Sequence, residues 1–138
     1  MIIASQKRKE NIAEYLLYMW QIEDIIRAYK LDIDTIDEQI VSKYNVPDDK
    51  KKEIREWYES LIDMMRREGV VESGHLQLNK NVIIDLTDLH LALLKSPKEP
   101  FYGATFFKTL PYIVELRAKT GDEPVGEIET CFNALYGI

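Results

Sequence analysis

The chain has 138 residues, a formal net charge of -6 and a single cysteine. That length allows one domain whose core needs neither metal nor disulfide, and one cysteine excludes an intramolecular bridge. The negative charge opposes non-specific binding to nucleic acid and anionic membranes, and no apolar run nears the roughly 18 residues of a bilayer span.

With 46% hydrophobic and 30% charged residues, the balance is that of a globular protein. The opening Met1-Ile2-Ile3-Ala4-Ser5 is too short for a signal-peptide core and charges follow at once, so the expected compartment is the cytoplasm.

In chain order, the first expected helix covers Lys7 to Tyr29. Ile12, Tyr15, Met19, Ile22 and Ile26 follow i, i+3, i+4 spacing. Its centre, Tyr15 to Trp20, is apolar nearly all round, which implies a helix enclosed by others or shared with a second chain. A shorter helix is expected over Ile33 to Tyr44 with Asp32 or Asp34 as N-cap, ending before Pro47. The third starts near Asp48 and runs to Glu68, with Gly69 past its end and Arg66 and Arg67 in its last turn.

Val70 to Leu78 reads as a corner around Ser73-Gly74 in preference to a small hairpin. Leu76, Asn79, Ile83, Leu86, His90 and Leu93 then step into a helix ending near Lys95. Ser96-Pro97-Lys98-Glu99-Pro100 is a loop and the clearest boundary, though too short to argue for two domains. Phe101 to about Lys119 is helical, with a kink at Pro111 or a restart capped by Thr109. Thr120-Gly121-Asp122 ends it, and a last helix begins near Pro124 with Ile128, Cys131, Phe132 and Leu135 on one side. The expected fold is all-α: one domain over 1–138, a bundle of about five helices, one kinked or broken at Pro111.

Candidate chemistry is sparse. On one helix His75 and His90 would stand roughly 22 Å apart, too far to share a metal. His90 falls on an apolar seam, where a satisfied core histidine is the expected role. His75, after Gly74, suits a local role at a helix start. Glu23 lies inside the apolar part of the first helix, and Arg27, one turn on, is its expected ion-pair partner. These four residues form the candidate polar site. Cys131 sits among apolar residues with no adjacent base, so it reads as a small apolar side chain. The basic clusters Lys7-Arg8-Lys9, Lys50-Lys51-Lys52 and Arg66-Arg67 each neighbour acids and read as helix surface. No phosphate loop, G-x-S-x-G, C-x-x-C or H-E-x-x-H is present, so no catalytic, cofactor or metal residue is assigned.

Several stretches carry a family resemblance: Lys7-Arg8-Lys9-Glu10-Asn11-Ile12-Ala13-Glu14-Tyr15-Leu16-Leu17-Tyr18-Met19-Trp20-Gln21-Ile22-Glu23-Asp24, Gly74-His75-Leu76, Leu89-His90, Leu110 to Arg117 and Glu127 to Phe132. They resemble a bacterial family catalogued as domain of unknown function 4924. The resemblance implies an all-helical cytoplasmic protein and supplies no catalytic residues. It also implies a further helical region past Ile138, so that the domain is either short by nature or lacks its C-terminal helix.

The leading expectation is a non-enzymatic helical module that forms a homodimer or binds another protein. Its candidate interface is Leu16, Leu17, Trp20, Phe132, Leu135 and Tyr136. The alternative is a helical-bundle enzyme or metal-binding protein using His90 or His75 with Glu14, Glu23 or Asp88. DNA binding, through a winged-helix reading of Met64 to Leu78, is disfavoured by the acidic total.

Overall fold

A computed structural model describes residues 1–119 and 125–137. Among the described residues seven α-helices follow one another: α1 (Ile2–Glu10), α2 (Ile12–Ala28), α3 (Ile33–Gln39), α4 (Asp48–Glu68), α5 (Gln77–Lys95), α6 (Pro100–Lys119) and α7 (Glu127–Tyr136). A 3-10 turn, Val41–Lys43, follows α3, and the described residues contain no strand. The all-α class stands, with seven helices in place of about five.

The extra count begins at Asn11. Its backbone is extended, at φ -157° and ψ 100°, and its side-chain oxygen accepts hydrogen bonds from Ala13 N–H and Glu14 N–H. Asparagine competes well for these orphan helix-start donors, so the expected single helix divides into α1 and α2 there. Asn11→Ala should cost about 1 kcal/mol in urea unfolding, and Asn11→Gly only a few tenths. No loss in the alanine variant would show that the cap is dispensable.

The second expected helix is also shorter. It ends at Gln39, and Asp32 is the cap that accepts from Asp34 N–H. The Thr35 hydroxyl bonds the same carboxylate and is the main reason its pKa lies below the ordinary value. Gly69 ends α4 in the left-handed region at φ 71°. Arg55 of α4 ties α3 to it, reaching Asp34 at 2.9 Å and Asp37 at 3.0 Å.

Pro111 neither breaks nor restarts a helix. α6 runs through it, and the Thr109 hydroxyl bonds back to Thr105 C=O instead of capping. The proline removes one ladder bond, to the carbonyl of Phe107, and Phe107 is exposed, where water can take its place. The expected end at Thr120 to Asp122 and start at Pro124 lie outside the described residues.

The chain forms two compact units, Met1–Lys80 and Asn81–Ile138, and the division falls inside α5. The loop at 96–100 lies within the second unit. Apolar burial is uneven between them. Among the described residues, every fully buried apolar side chain but Val82, Ile113 and Phe132 belongs to the first unit. There α2 contributes Tyr15, Leu16, Met19, Trp20, Ile22 and Ile26, and α4 contributes Ile54, Tyr58, Leu61, Ile62 and Met65. Tyr15, Leu16, Met19 and Trp20, from the all-round apolar centre of α2, are therefore enclosed within the chain. That accounts for its nearly all-round apolar surface without a second chain.

Candidate functional site

Two polar clusters stand out, one in each unit. The first surrounds Glu23 on α2, which is only 1% exposed. Burying a carboxylate is costly unless its oxygens accept hydrogen bonds. Here Oε2 accepts from Leu76 N–H at 2.8 Å and from Asn79 Nδ2 at 2.9 Å, and Oε1 lies 2.7 Å from His75 Nδ1. A carboxylate oxygen accepts, so the His75 proton in that contact is on Nδ1. The His75 ring stacks on Trp20, with centroids 4.3 Å apart and planes 13° from parallel.

Arg27, one turn along α2, does not make the expected pair with Glu23. It bonds Asp24 at 3.2 Å and points its guanidinium at the corner after α4, donating to Val70 C=O at 3.0 Å and to Gly74 C=O. The division follows from charge. The cation takes the carbonyls of the corner, and the anion one turn away takes the N–H groups that follow. Gly74 suits the path at φ 91°, and a Cβ there would stand 3.3 Å from Val70 Cγ1.

Glu68 of α4 completes the arrangement by accepting from Gln77 N–H at 2.7 Å. The N-terminal N–H groups of α5 are thus met by carboxylates from two other helices, a placement that also complements the helix dipole. Glu23, Arg27 and His75 are brought together as a clamp on this corner. What the sequence did not reveal was Asn79 and Glu68, whose roles depend on contacts between distant segments.

The second cluster surrounds His90 on α5. It is 3% exposed, and its Nδ1 lies 2.5 Å from the Tyr102 hydroxyl of α6. Phe106 meets the ring edge-on, with centroids 4.6 Å apart. The other nitrogen, Nε2, is buried without a hydrogen-bond partner, and Glu127 Oε2 of α7 stands 3.9 Å away. These residues line a cavity of about 150 Å³, walled mainly by Tyr102, Phe106, Ile113, Ile128 and Cys131.

Burial pushes the Tyr102 hydroxyl above its ordinary pKa, and neighbouring Cys131 adds to the rise. Burial also pushes the Cys131 thiol up, with the Glu127 carboxylate adding to it. Both groups are held neutral, and a thiol kept protonated is a poor nucleophile.

His75 and His90 belong to separate clusters. No group of three or more His, Cys, Asp or Glu among the described residues is placed to hold a metal ion. The corner at 70–76 contains no strand, so it offers no wing. Of the candidate interface, Leu16, Trp20 and Phe132 are buried within the chain and Leu17 is half-buried. Leu135 and Tyr136 are exposed. Leu16, Trp20 and Phe132 lose their place at an interface because burial leaves them almost no surface, whereas Leu17 keeps part of its own.

Among the described residues the chain is a helical module whose two buried polar clusters are centred on Glu23 and His90. A family model described as a domain of unknown function, DUF4924, matches residues 1–138, and the chain belongs to that family. No curated protein and no solved structure matches it. No described helix is long and apolar enough to cross a membrane.

Proposed function

We propose that this chain is a non-enzymatic self-association module of the bacterial cytoplasm, pairing with a second copy through the outer faces of α5, α6 and α7. One observation carries the reading: the apolar surface left open by the second unit. Phe101 is 85% exposed and Phe107 66%, and Tyr112, Val114, Ile84, Leu89, Leu91 and Leu135 are each about half exposed or more. Scattered apolar residues on a surface are ordinary, but aromatic and aliphatic side chains concentrated on three helices are what an interface supplies.

Charge favours a second copy as the occupant. α6 bears Lys108, Arg117 and Lys119 against Glu115, whereas α7 bears Glu127 and Glu129 and no cation. In a two-fold pair the cations of α6 can lie off the axis against the acids of the other copy's α7, so opposite charges can face each other even though the whole chain is acidic. Phe107 and Val114 are seven residues apart on one side of α6 and form the natural centre of the contact.

Light scattering coupled to size exclusion should give about twice the 16.2 kDa chain mass at micromolar concentration. Phe107→Asp with Val114→Asp should give a monomer with an unchanged helical spectrum, each change weakening pairing roughly 30-fold or more. A clean wild-type monomer would overturn the proposal, as would a dimer indifferent to both substitutions.

A further inference from the structure

We propose that the His90 cavity is a binding site for a small apolar molecule carrying one hydroxyl group, such as a phenol or a short alcohol. Size sets the first limit. About 150 Å³ matches the engineered cavities that accept benzene, so the occupant has roughly six to eight heavy atoms. The walls set the second. Tyr102, Phe106, Ile113 and Ile128 offer rings and aliphatic surface, and the neutral thiol of Cys131 adds no charge.

The head group is fixed by what the cavity leaves unsatisfied. His90 Nε2 is buried without a partner, a costly condition that a ligand would relieve. Glu127 Oε2, 3.9 Å away, is far enough for one atom to sit within hydrogen-bond distance of both. If Nδ1 carries the imidazole proton and donates to Tyr102, Nε2 is an acceptor, and a hydroxyl can donate to it. If Tyr102 donates to Nδ1, Nε2 carries the proton, and a hydroxyl can accept from it while donating to Glu127. A hydroxyl therefore satisfies either tautomer. A carboxylate satisfies neither well, because Glu127 would repel it. A purely apolar molecule leaves Nε2 as it is.

The cavity is separate from the centre of the pairing surface. Tyr102, Phe106, Thr109 and Ile113 are spaced by four, three and four along one face of α6, whereas Phe107 and Val114 lie on another. Thr105, which is exposed, marks the cavity mouth.

The test uses the full chain with 15N-labelled histidine, titrated with phenol, toluene and benzoate while the imidazole nitrogens are followed by NMR. Only two histidines are present, and His90→Gln identifies the His90 signals. Phenol should shift His90 Nε2 saturably, with toluene about tenfold weaker and benzoate weaker still, the tenfold reflecting one hydrogen bond. Glu127→Gln, whose amide can still accept, should retain phenol within about threefold, and Glu127→Leu reads the tautomer, losing about tenfold only where the hydroxyl donates to the carboxylate. Thr105→Trp at the mouth and Thr109→Phe inside should each block binding, the first without touching the core.

Equal affinity for phenol and toluene would overturn the proposal, because the empty nitrogen would then play no part. So would preference for benzoate, or the absence of any saturable shift, which would mean that Nε2 is served by water alone. Light scattering of the same samples reads the oligomeric state independently, so failure here leaves the pairing proposal standing or falling by itself.

Discussion

Replacing Glu23 by alanine should destabilise the protein by about 3 kcal/mol or more in urea unfolding, close to the loss typical of a broken buried charged pair. The carboxylate joins α2 to residues 52, 53 and 56 positions later, through His75, Leu76 N–H and Asn79. Removing it leaves two buried donors, one of them on the backbone, with no acceptor. Glu23→Gln should lie between alanine and wild type. The glutamine oxygen can still accept one bond, but its amide nitrogen turns a donor towards donors. His75→Ala should cost less than either, because that ring is partly exposed and water can replace some of its bonding. Losses below about 1 kcal/mol for the alanine variant would mean that the corner is held by Arg27 and Glu68 without it.

The same residue shows what a sequence makes legible. Helical periodicity placed Glu23 inside the apolar part of α2, which is a local property of the chain. Its partners arrive from the far side of two intervening helices, and nothing in local spacing distinguishes them. The i, i+4 rule therefore nominated Arg27, the one charged neighbour in reach. It fails because the corner at Val70 to Gly74 offers that guanidinium two backbone carbonyls instead. Asn11 is a different case. Asn11-Ile12-Ala13-Glu14 carries a visible helix-start signal, an N-cap residue with Glu three positions on. The apolar rhythm running through it from Lys7 to Tyr29 masked that signal.

In the second unit the difficulty is one of address. Apolar spacing finds which residues of a helix share a face, but not whether that face meets the same chain. Aromatic residues at helical spacing can serve a core or an interface, and in the run Phe101 to Phe107 the structure leaves Phe101 and Phe107 exposed while Phe106 lines a cavity. His90 was legible as a residue on an apolar seam. That one ring nitrogen would be taken by Tyr102 and the other left open beside Glu127 depends on where α6 and α7 return. A break at Pro111 is avoided for a related reason. Its cost falls on a single carbonyl, at a position where solvent can meet it.

Alkaline pH should unfold the protein through two tyrosines of the first unit. Burial is the main cause that raises the pKa of both Tyr18 and Tyr58 well above the ordinary value near 10. Tyr44, close to both hydroxyls, adds to the rise in each. The sign follows from proton linkage. The folded protein keeps both hydroxyl protons at a pH where the unfolded chain has begun to release them. The stability they contribute is therefore fully present below about pH 10 and is lost as pH rises above it. Two groups shifted the same way steepen the loss. Tyr18→Phe with Tyr58→Phe should remove it, moving the alkaline midpoint of the helical signal upward. At neutral pH the double variant gives up only the hydroxyl bonds, about 1 kcal/mol each. The two proteins differ only at these two hydroxyls, so the difference between the midpoints reports on this pair. Coincident midpoints would show that alkaline unfolding begins elsewhere.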